Sequence, residues 1–211
     1  MVAGSRPERE SVRLVSLEVN PPPGVELYTA TARSLAVSPD GTRLAFVGVL
    51  GGARHVYIRP VDQFAATPVR GSDNAAAAFF SPDGRWIIYV SNESGRNEIY
   101  LRGFPGPDRR WQVSTDGGTQ AVWNPNGREI FSRSGNRMMA VELSTTPNVA
   151  LSPPRVLFEQ RYAYGAGITI ANYDVTRDGQ RFVMVKDEST AGRLNVVLNW
   201  FQELQRLVPV N

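Results

Sequence analysis

The stretch SLAVSPDGTRLAFV at residues 34–47 recurs as AAFFSPDGRWIIYV at residues 77–90. Two weaker copies follow, QAVWNPNGREIFSR at 120–133 and NYDVTRDGQRFVMV at 172–185. The turn residues of the four copies are therefore 43, 43 and 52 positions apart, at Asp40, Asp83, Asn126 and Asp178. Self-similarity at a period of this size is typical of repeat architectures in which each unit packs on its neighbours.

Each copy consists of an apolar run, an Asp-Gly or Asn-Gly turn and a second run rich in β-branched and aromatic residues. Such dipeptides favour a tight hairpin, whose central positions require positive φ. A third strand is predicted after each hairpin, at 55–61, 98–104, 137–143 and 195–201, and a weaker fourth strand at 66–71, 109–115 and 155–160. The loop at 147–154 lengthens the last period. The pattern predicts an all-β chain of four-stranded units.

A four-stranded unit of about 43 residues is one blade of a β-propeller. We expect a single propeller domain over residues 12–211, with blades at about 34–71, 77–115, 120–160 and 172–204 and a disordered segment at 1–11. The last unit lacks a fourth strand, and the unassigned strand at 12–19 is predicted to complete it as a closing latch. If the ring does not close, open blade edges favour association between chains.

The SPDG turns at Ser38 and Ser81, with the stretch from Trp86 to Tyr100, resemble the TolB-like propeller repeat. The resemblance extends over residues 34–201. The stretch from Gly103 to Phe201 resembles the C-terminal end of the extracytoplasmic propellers of some bacterial membrane serine/threonine kinases, although no kinase signature is present. Such propellers usually have six or seven blades, so the resemblance implies a shortened or partial propeller, and a sensor role.

Composition excludes several functions. The chain has no cysteine and one histidine, His55, which removes thiolate chemistry, disulfides and histidine-rich metal sites. The net charge is +3, and the arginines are scattered singly, apart from Arg109 and Arg110, which disfavours a nucleic-acid partner. No signal-peptide core or membrane segment is apparent. We expect a cytoplasmic location for a complete chain, and a periplasmic or extracytoplasmic one for part of an exported or membrane protein.

Several conspicuous residues are interpreted as scaffold. The Asp-Gly and Asn-Gly turns serve the hairpins and not a calcium array. Tryptophans in predicted strands are interpreted as core between blades, at Trp86, Trp111, Trp123 and Trp200. Arg59 and Arg102 follow core tyrosines and are expected to extend between blades or pair with an acid.

Ligand-binding residues are expected at the end of the blades opposite the hairpin turns, because loops on a rigid scaffold concentrate binding residues. The candidates there are Arg70, Asp73, Asn74, Asn92, Glu93, Arg96, Asn97, Arg161, Tyr162 and Tyr164. For the two tyrosines, packing against the blade edge is the competing interpretation.

The sequence favours a non-catalytic module that binds a protein or small-molecule ligand, with no cofactor and no metal. One alternative is a propeller hydrolase for a small ester or lactone that uses His55 or acids in the channel. The predicted channel positions are Ser34, Ala76, Gln120 and Asn172, which include no acid and so argue against a carboxylate metal site. Another alternative is a structural unit that forms homo-oligomers through its open edges.

Overall fold

The computed structural model describes residues 18–30, 35–106, 108–163, 169–186 and 194–197. The regular structure in this part is entirely β, which confirms the all-β prediction. Antiparallel strands form four successive sheets. Sheet 1 contains β1 (Glu26–Leu27), β2 (Leu35–Val37), β3 (Arg43–Leu50), β4 (Ala53–Pro60) and β5 (Thr67–Pro68). Sheet 2 contains β6 (Ala75–Phe80), β7 (Trp86–Ser91), β8 (Glu98–Gly103) and β9 (Arg110–Gln112).

Sheet 3 contains β10 (Thr119–Trp123), β11 (Glu129–Ser134), β12 (Arg137–Ser144), β13 (Ala150–Leu151) and β14 (Arg155–Glu159). Sheet 4 contains β15 (Tyr173–Val175), β16 (Phe182–Val185) and β17 (Leu194–Val197). Two sheets have a divided edge strand that the repeat pattern does not predict. In sheet 1, β1 and β2 pair with successive parts of β3, and in sheet 3, β13 and β14 pair with successive parts of β12.

The four repeated turns share one conformation, which differs from the predicted tight hairpin. In the first, the N–H of Gly41 donates to the carbonyl of Ser38 at 2.8 Å, and the N–H of Ser38 donates to the carbonyl of Arg43 at 2.9 Å. The loop therefore has four residues, and only its glycine has positive φ, at 70° for Gly41 and 69–71° in the other three copies. The Asp40 carboxylate accepts from the Thr42 N–H, which makes it a turn residue.

Three apolar cores lie between successive sheets. Tyr89 and Ile58 belong to the core between sheets 1 and 2, Ile130 belongs to that between sheets 2 and 3, and Phe182 belongs to that between sheets 3 and 4. Adjacent residues of one strand point to opposite faces, so each inner sheet contributes alternate side chains to two cores. Sheets stacked in this way by nearest-neighbour packing are the arrangement expected of propeller blades.

The tryptophans and buried arginines follow the interpretation in part. Trp123 is buried, whereas Trp86 and Trp111 are half-buried and contact each other edge to face at 5.8 Å. Arg102 is buried and pairs with Asp108 at 2.5 Å. Arg59 is also buried. Its guanidinium donates to the backbone carbonyl of Glu18, at 2.9 Å, and to that of Gln63, so both of these partners are carbonyls and not carboxylates. Trp200 lies outside the described residues.

Ring closure stays a prediction. Within the described ranges, no strand pairing joins sheet 4 to sheet 1. Of the predicted latch at 12–19, only residues 18 and 19 are described, and they are not in a strand. The carbonyl of Glu18 accepts from Arg59 of sheet 1.

Candidate functional site

The sheets have two ends with different chemistry. The hairpin turns lie at one end, which we call the turn end. The other end, which we call the loop end, carries the loops between the second and third strands and the connectors from each sheet to the next. Because strands alternate in direction, these segments must lie at the same end. Most of the predicted binding residues are in them, and the described contacts bring those residues together in three groups.

The first group surrounds Arg54 at the junction of sheets 1 and 2. Its guanidinium donates to the carbonyl of Asn74 at 3.2 Å and to the side-chain oxygen of Asn92 at 3.3 Å. It also lies over the Tyr28 ring, 4.9 Å from the ring centre. Arg54 therefore links a loop of sheet 1, the connector and a loop of sheet 2, although the repeat pattern did not single it out.

Next to this group, Nδ1 of His55 lies 3.7 Å from a carboxylate oxygen of Asp73. Both side chains are reachable from solvent, with 25% of His55 and 58% of Asp73 exposed. The backbone carbonyl of Asp73 accepts from the hydroxyl of Ser91 at 2.5 Å, so the connector is anchored to sheet 2.

The second group is an ion pair between Arg110 of β9 and Glu93, at 2.5 Å. The Glu93 carboxylate raises the pKa of Arg110, which keeps the guanidinium charged. Arg110 also donates to the carbonyl of Gly71 at 2.8 Å and lies over the Tyr100 ring, 4.8 Å from its centre. A cavity of about 490 Å³ opens here, lined by Glu93, Ser94, Tyr100, Arg110 and Gln112.

The third group is centred on Glu98, the first residue of β8, of which 1% is exposed. Its carboxylate accepts from Arg96 at 2.8 Å, from the N–H of Gly117 at 3.0 Å and from the hydroxyl of Ser114. Arg96 reaches further to Asp116 at 3.1 Å. A buried carboxylate with three donors holds the connector between sheets 2 and 3 in place.

A smaller cavity, of about 290 Å³, adjoins this group. Asn97 lines it together with Arg96, Asp116 and Thr119, and the backbone carbonyl of Asn97 accepts from Gly118 at 2.8 Å. Asn97 is thus held by its backbone at the edge of this cavity.

The remaining candidates lie apart from these groups. Arg70 is 82% exposed in its side chain and pairs with Asp108 at 3.0 Å. Arg161 is exposed. Tyr162 is buried in the core between sheets 3 and 4, and its hydroxyl is 3.0 Å from the side-chain oxygen of Gln160, so the packing interpretation accounts for it. Tyr164 lies outside the described residues.

Two features were not predicted. Gln120 has φ of 54°, is fully buried, and its side-chain amide has no hydrogen-bond partner among the described residues. No residue-type signal marks such a position. At the turn end, a cleft of about 420 Å³ is lined by the half-buried Trp86 with Phe104, Pro105 and Thr146. Trp86 packs against the core between sheets 2 and 3, as the sequence predicted, and it also lines this cleft.

The predicted channel positions carry amides and alanine. Ala76 and Gln120 are buried, and the side chain of Asn172 donates to the carbonyl of Ala163 at 2.5 Å. Ser34 lies outside the described residues. In the part of the chain that the structure describes, no group of three or more acids and histidines is placed to hold a metal ion. The same part contains no helix long and apolar enough to span a membrane.

The comparisons with known proteins agree on the fold. No protein-family model and no curated protein matches the chain. Among solved structures, TolB from Acinetobacter baumannii matches with TM-score 0.60 and 16% identity, over 82% of this chain and 42% of TolB. A putative TolB from Agrobacterium tumefaciens matches with TM-score 0.56 and 15% identity, over 78% of this chain and 64% of that protein.

An oligogalacturonate lyase in complex with manganese matches with TM-score 0.63 and 11% identity, over 86% of this chain and 52% of the lyase. The chain thus spans less than two thirds of the length of each of these three structures. At these identities the likeness concerns the fold and not the activity. The four stacked antiparallel sheets, the repeated turns and these neighbours show that the chain has a TolB-like β-propeller fold.

Proposed function

We propose that the chain is a non-catalytic module that binds an extended, polar segment of a partner protein at the loop end of sheet 2. The observation that carries this proposal is the cavity of about 490 Å³ beside the ion pair of Arg110 and Glu93. Its lining combines a cation, an anion, an aromatic ring and the amide of Gln112, which suits a ligand that offers both donors and acceptors.

The position of the cavity supports a peptide ligand. Arg110 and Gln112 belong to β9, the outermost strand of sheet 2 in the described structure. An extended peptide can pair with a free strand edge through its backbone, while side chains of the strand and of the adjacent loop give specificity. Arg110 is held by Glu93 and Tyr100, so little conformational entropy is lost when it contacts a ligand.

The test is selection of a random peptide library on the immobilised chain, followed by affinity measurements on the selected peptides. Arg110→Ala and Glu93→Gln are expected to weaken binding by about 10- to 100-fold, because an ordered arginine at the centre of a site is a typical hot spot. Arg128→Ala, at the exposed turn end, is the matched control and should leave affinity unchanged. Equal affinities for the parent chain and all three variants would refute the proposal.

The hydrolase alternative rests on the contact between His55 and Asp73, since a carboxylate that orients an imidazole is a common arrangement in acid–base catalysis. It predicts turnover of short-chain chromogenic esters that His55→Ala abolishes. Binding that survives in His55→Ala without any turnover in the parent chain would favour the binding module.

A further inference from the structure

The repeat places the same four positions of each unit on the face that packs against the preceding sheet. We call this the receiving face. It consists of two positions in the first strand and two in the second, spaced identically about each turn. In sheets 2, 3 and 4 these positions are Ala78, Phe80, Ile87 and Tyr89; Ala121, Trp123, Ile130 and Ser132; and Tyr173, Val175, Phe182 and Met184. Eleven of these twelve residues are in the three inter-sheet cores or at their edges, Ser132 being the exception.

Sheet 1 has the same face with no sheet before it in the described structure. The equivalent residues are Leu35, Val37, Leu44 and Phe46, which are all apolar. Leu44 and Phe46 are buried, but Leu35 is 47% exposed and Val37 is 56% exposed. Their counterparts in sheet 2, Ala78 and Phe80, are 5% and 9% exposed.

The opposite face of each sheet packs on the following sheet, and we call it the following face. Its equivalent positions in the second strands of sheets 1, 2 and 3 are Ala45, Ile88 and Phe131, which are all buried in inter-sheet cores. At two junctions the second strand of one sheet contacts the first strand of the next: β3 contacts β6 between sheets 1 and 2, and β7 contacts β10 between sheets 2 and 3.

Sheet 4 presents this following face without a sheet after it in the described structure. The residues are Val183 and Val185 of β16, and Val185 is 38% exposed. In the described residues, the receiving face of sheet 1 is therefore exposed at β2 but buried at its two β3 positions, and the following face of sheet 4 is exposed at Val185 of β16. If the contacts that join sheet 1 to sheet 2 and sheet 2 to sheet 3 apply here, β16 is the strand that packs on β2.

We propose that a second copy of this chain covers both faces, with β16 of each copy packed on β2 of the other. Such a pair is a closed two-fold dimer with eight sheets, which is within the usual range of four to eight propeller blades. The fold accommodates further sheets, since the chain spans 42% and 64% of the two TolB structures that it resembles and propellers of up to eight blades are usual. The reciprocal arrangement leaves neither apolar face in water, whereas a filament always leaves one at each end.

Cysteine cross-linking tests the strand pairing directly, since the natural chain contains no cysteine. A mixture of Leu35→Cys chains and Val185→Cys chains, treated with a short bis-maleimide, is expected to give a cross-linked pair. Either variant alone should give none, because like residues lie at separate interfaces. In a chain with both substitutions, a cross-link within one chain would mean that the molecule closes on itself, which overturns the proposal.

The mass of the intact chain in solution is the second measurement. Light scattering should give twice the 23.2 kDa chain mass. Val37→Glu should raise the dissociation constant of the dimer by more than about tenfold. Val156→Glu is the matched control, because Val156 is 49% exposed on β14 of sheet 3 but lies on neither uncovered face. A monomer, an open-ended series of larger assemblies, or equal dissociation constants for the two variants would overturn the proposal.

Discussion

Tyr89 gives the structure a pH dependence whose size can be worked out. Its ring lies in the core between sheets 1 and 2, stacked on Tyr100 at 5.5 Å between ring centres. Its hydroxyl donates to the backbone carbonyl of Gly71 at 2.7 Å. Burial raises the pKa of Tyr89 from 10.0 to about 12, because the phenolate would lose its hydration. The folded chain therefore keeps this proton at pH values where the unfolded chain loses it.

A raised pKa leaves stability complete below the unfolded value and lowers it above that value. The free energy of unfolding should fall between pH 10 and pH 12 by up to about 1.4 kcal/mol per pH unit, or about 3 kcal/mol in total. Burial also raises the pKa of Tyr173, in the same direction. Comparison with Tyr89→Phe at each pH isolates the Tyr89 contribution, since Tyr173 is present in both proteins.

Below pH 10, Tyr89→Phe removes one hydrogen bond. The carbonyl of Gly71 still accepts from Arg110 at 2.8 Å, so no buried acceptor is left without a partner and the cost is about 1 kcal/mol. Above pH 10 the parent chain loses the extra unfolding free energy that it has over Tyr89→Phe, because the unfolded parent chain ionises this tyrosine. The two stability curves should cross near pH 11, at about the point where the loss through ionisation equals that cost.

The assay is urea unfolding, followed by circular dichroism, at closely spaced pH values from neutral to alkaline. Phenolate absorbance of the folded protein gives an independent titration, and Tyr89→Phe should remove one late-titrating group from it. A difference in unfolding free energy that stays constant through this range, without a crossing, would refute the link between burial and proton affinity at Tyr89.

Three further predictions follow from local geometry. The hydroxyl of Ser38, with the N–H and hydroxyl of Thr42, lowers the pKa of Asp40 to about 2. The stability that depends on this carboxylate should therefore be lost as the pH falls from 3.8 to about 2, and Asp40→Asn should flatten that part of an acid-unfolding curve. Gly51→Ala, at φ of 57° with free space around it, should cost about 1 kcal/mol in thermal unfolding. Gly179→Ala should cost clearly more, because its Cβ would clash with the side chain of Asn124 in the turn between β10 and β11. Ser114→Ala leaves a buried backbone N–H of β8 without its acceptor and should cost about 1–3 kcal/mol in urea unfolding, against little change for Ser144→Ala at an exposed site.

The parts of the fold that the sequence predicts are those determined by short-range patterns. The turn sequence and the alternation on either side of it give the paired strands, as at Ser38 and Ser81, because both signals act within about a dozen residues. The exact turn geometry was wrong, since Asp-Gly also fits a four-residue loop in which only the glycine takes positive φ. The short strands β1 and β13 were missed because a strand of two residues is too short to show an alternation of apolar and polar side chains.

The candidate site was predictable in its place but not in its partners. Glu93 and Arg110 are distant in sequence from the connector that carries Gly71, and only the stacking of sheets brings them to one cavity. Tyr162 is ambiguous in sequence, because an aromatic residue beside glycines fits either a recognition loop or packing against the blade edge, and its burial agrees with the packing interpretation. Gln120 was predicted as a channel position, but no sequence rule predicts its positive φ or the unpartnered state of its side-chain amide among the described residues.

Packing by neighbours alone also sets the order in which the molecule comes apart. Within the described structure, sheets 2 and 3 are each held by two cores, whereas sheets 1 and 4 are each held by one. An end sheet can therefore open by breaking one apolar core, whereas an inner sheet must break two. The amide protons of an end sheet should accordingly exchange with solvent sooner. In the proposed dimer no sheet is an end, so dilution of the protein is expected to increase amide exchange first in sheets 1 and 4.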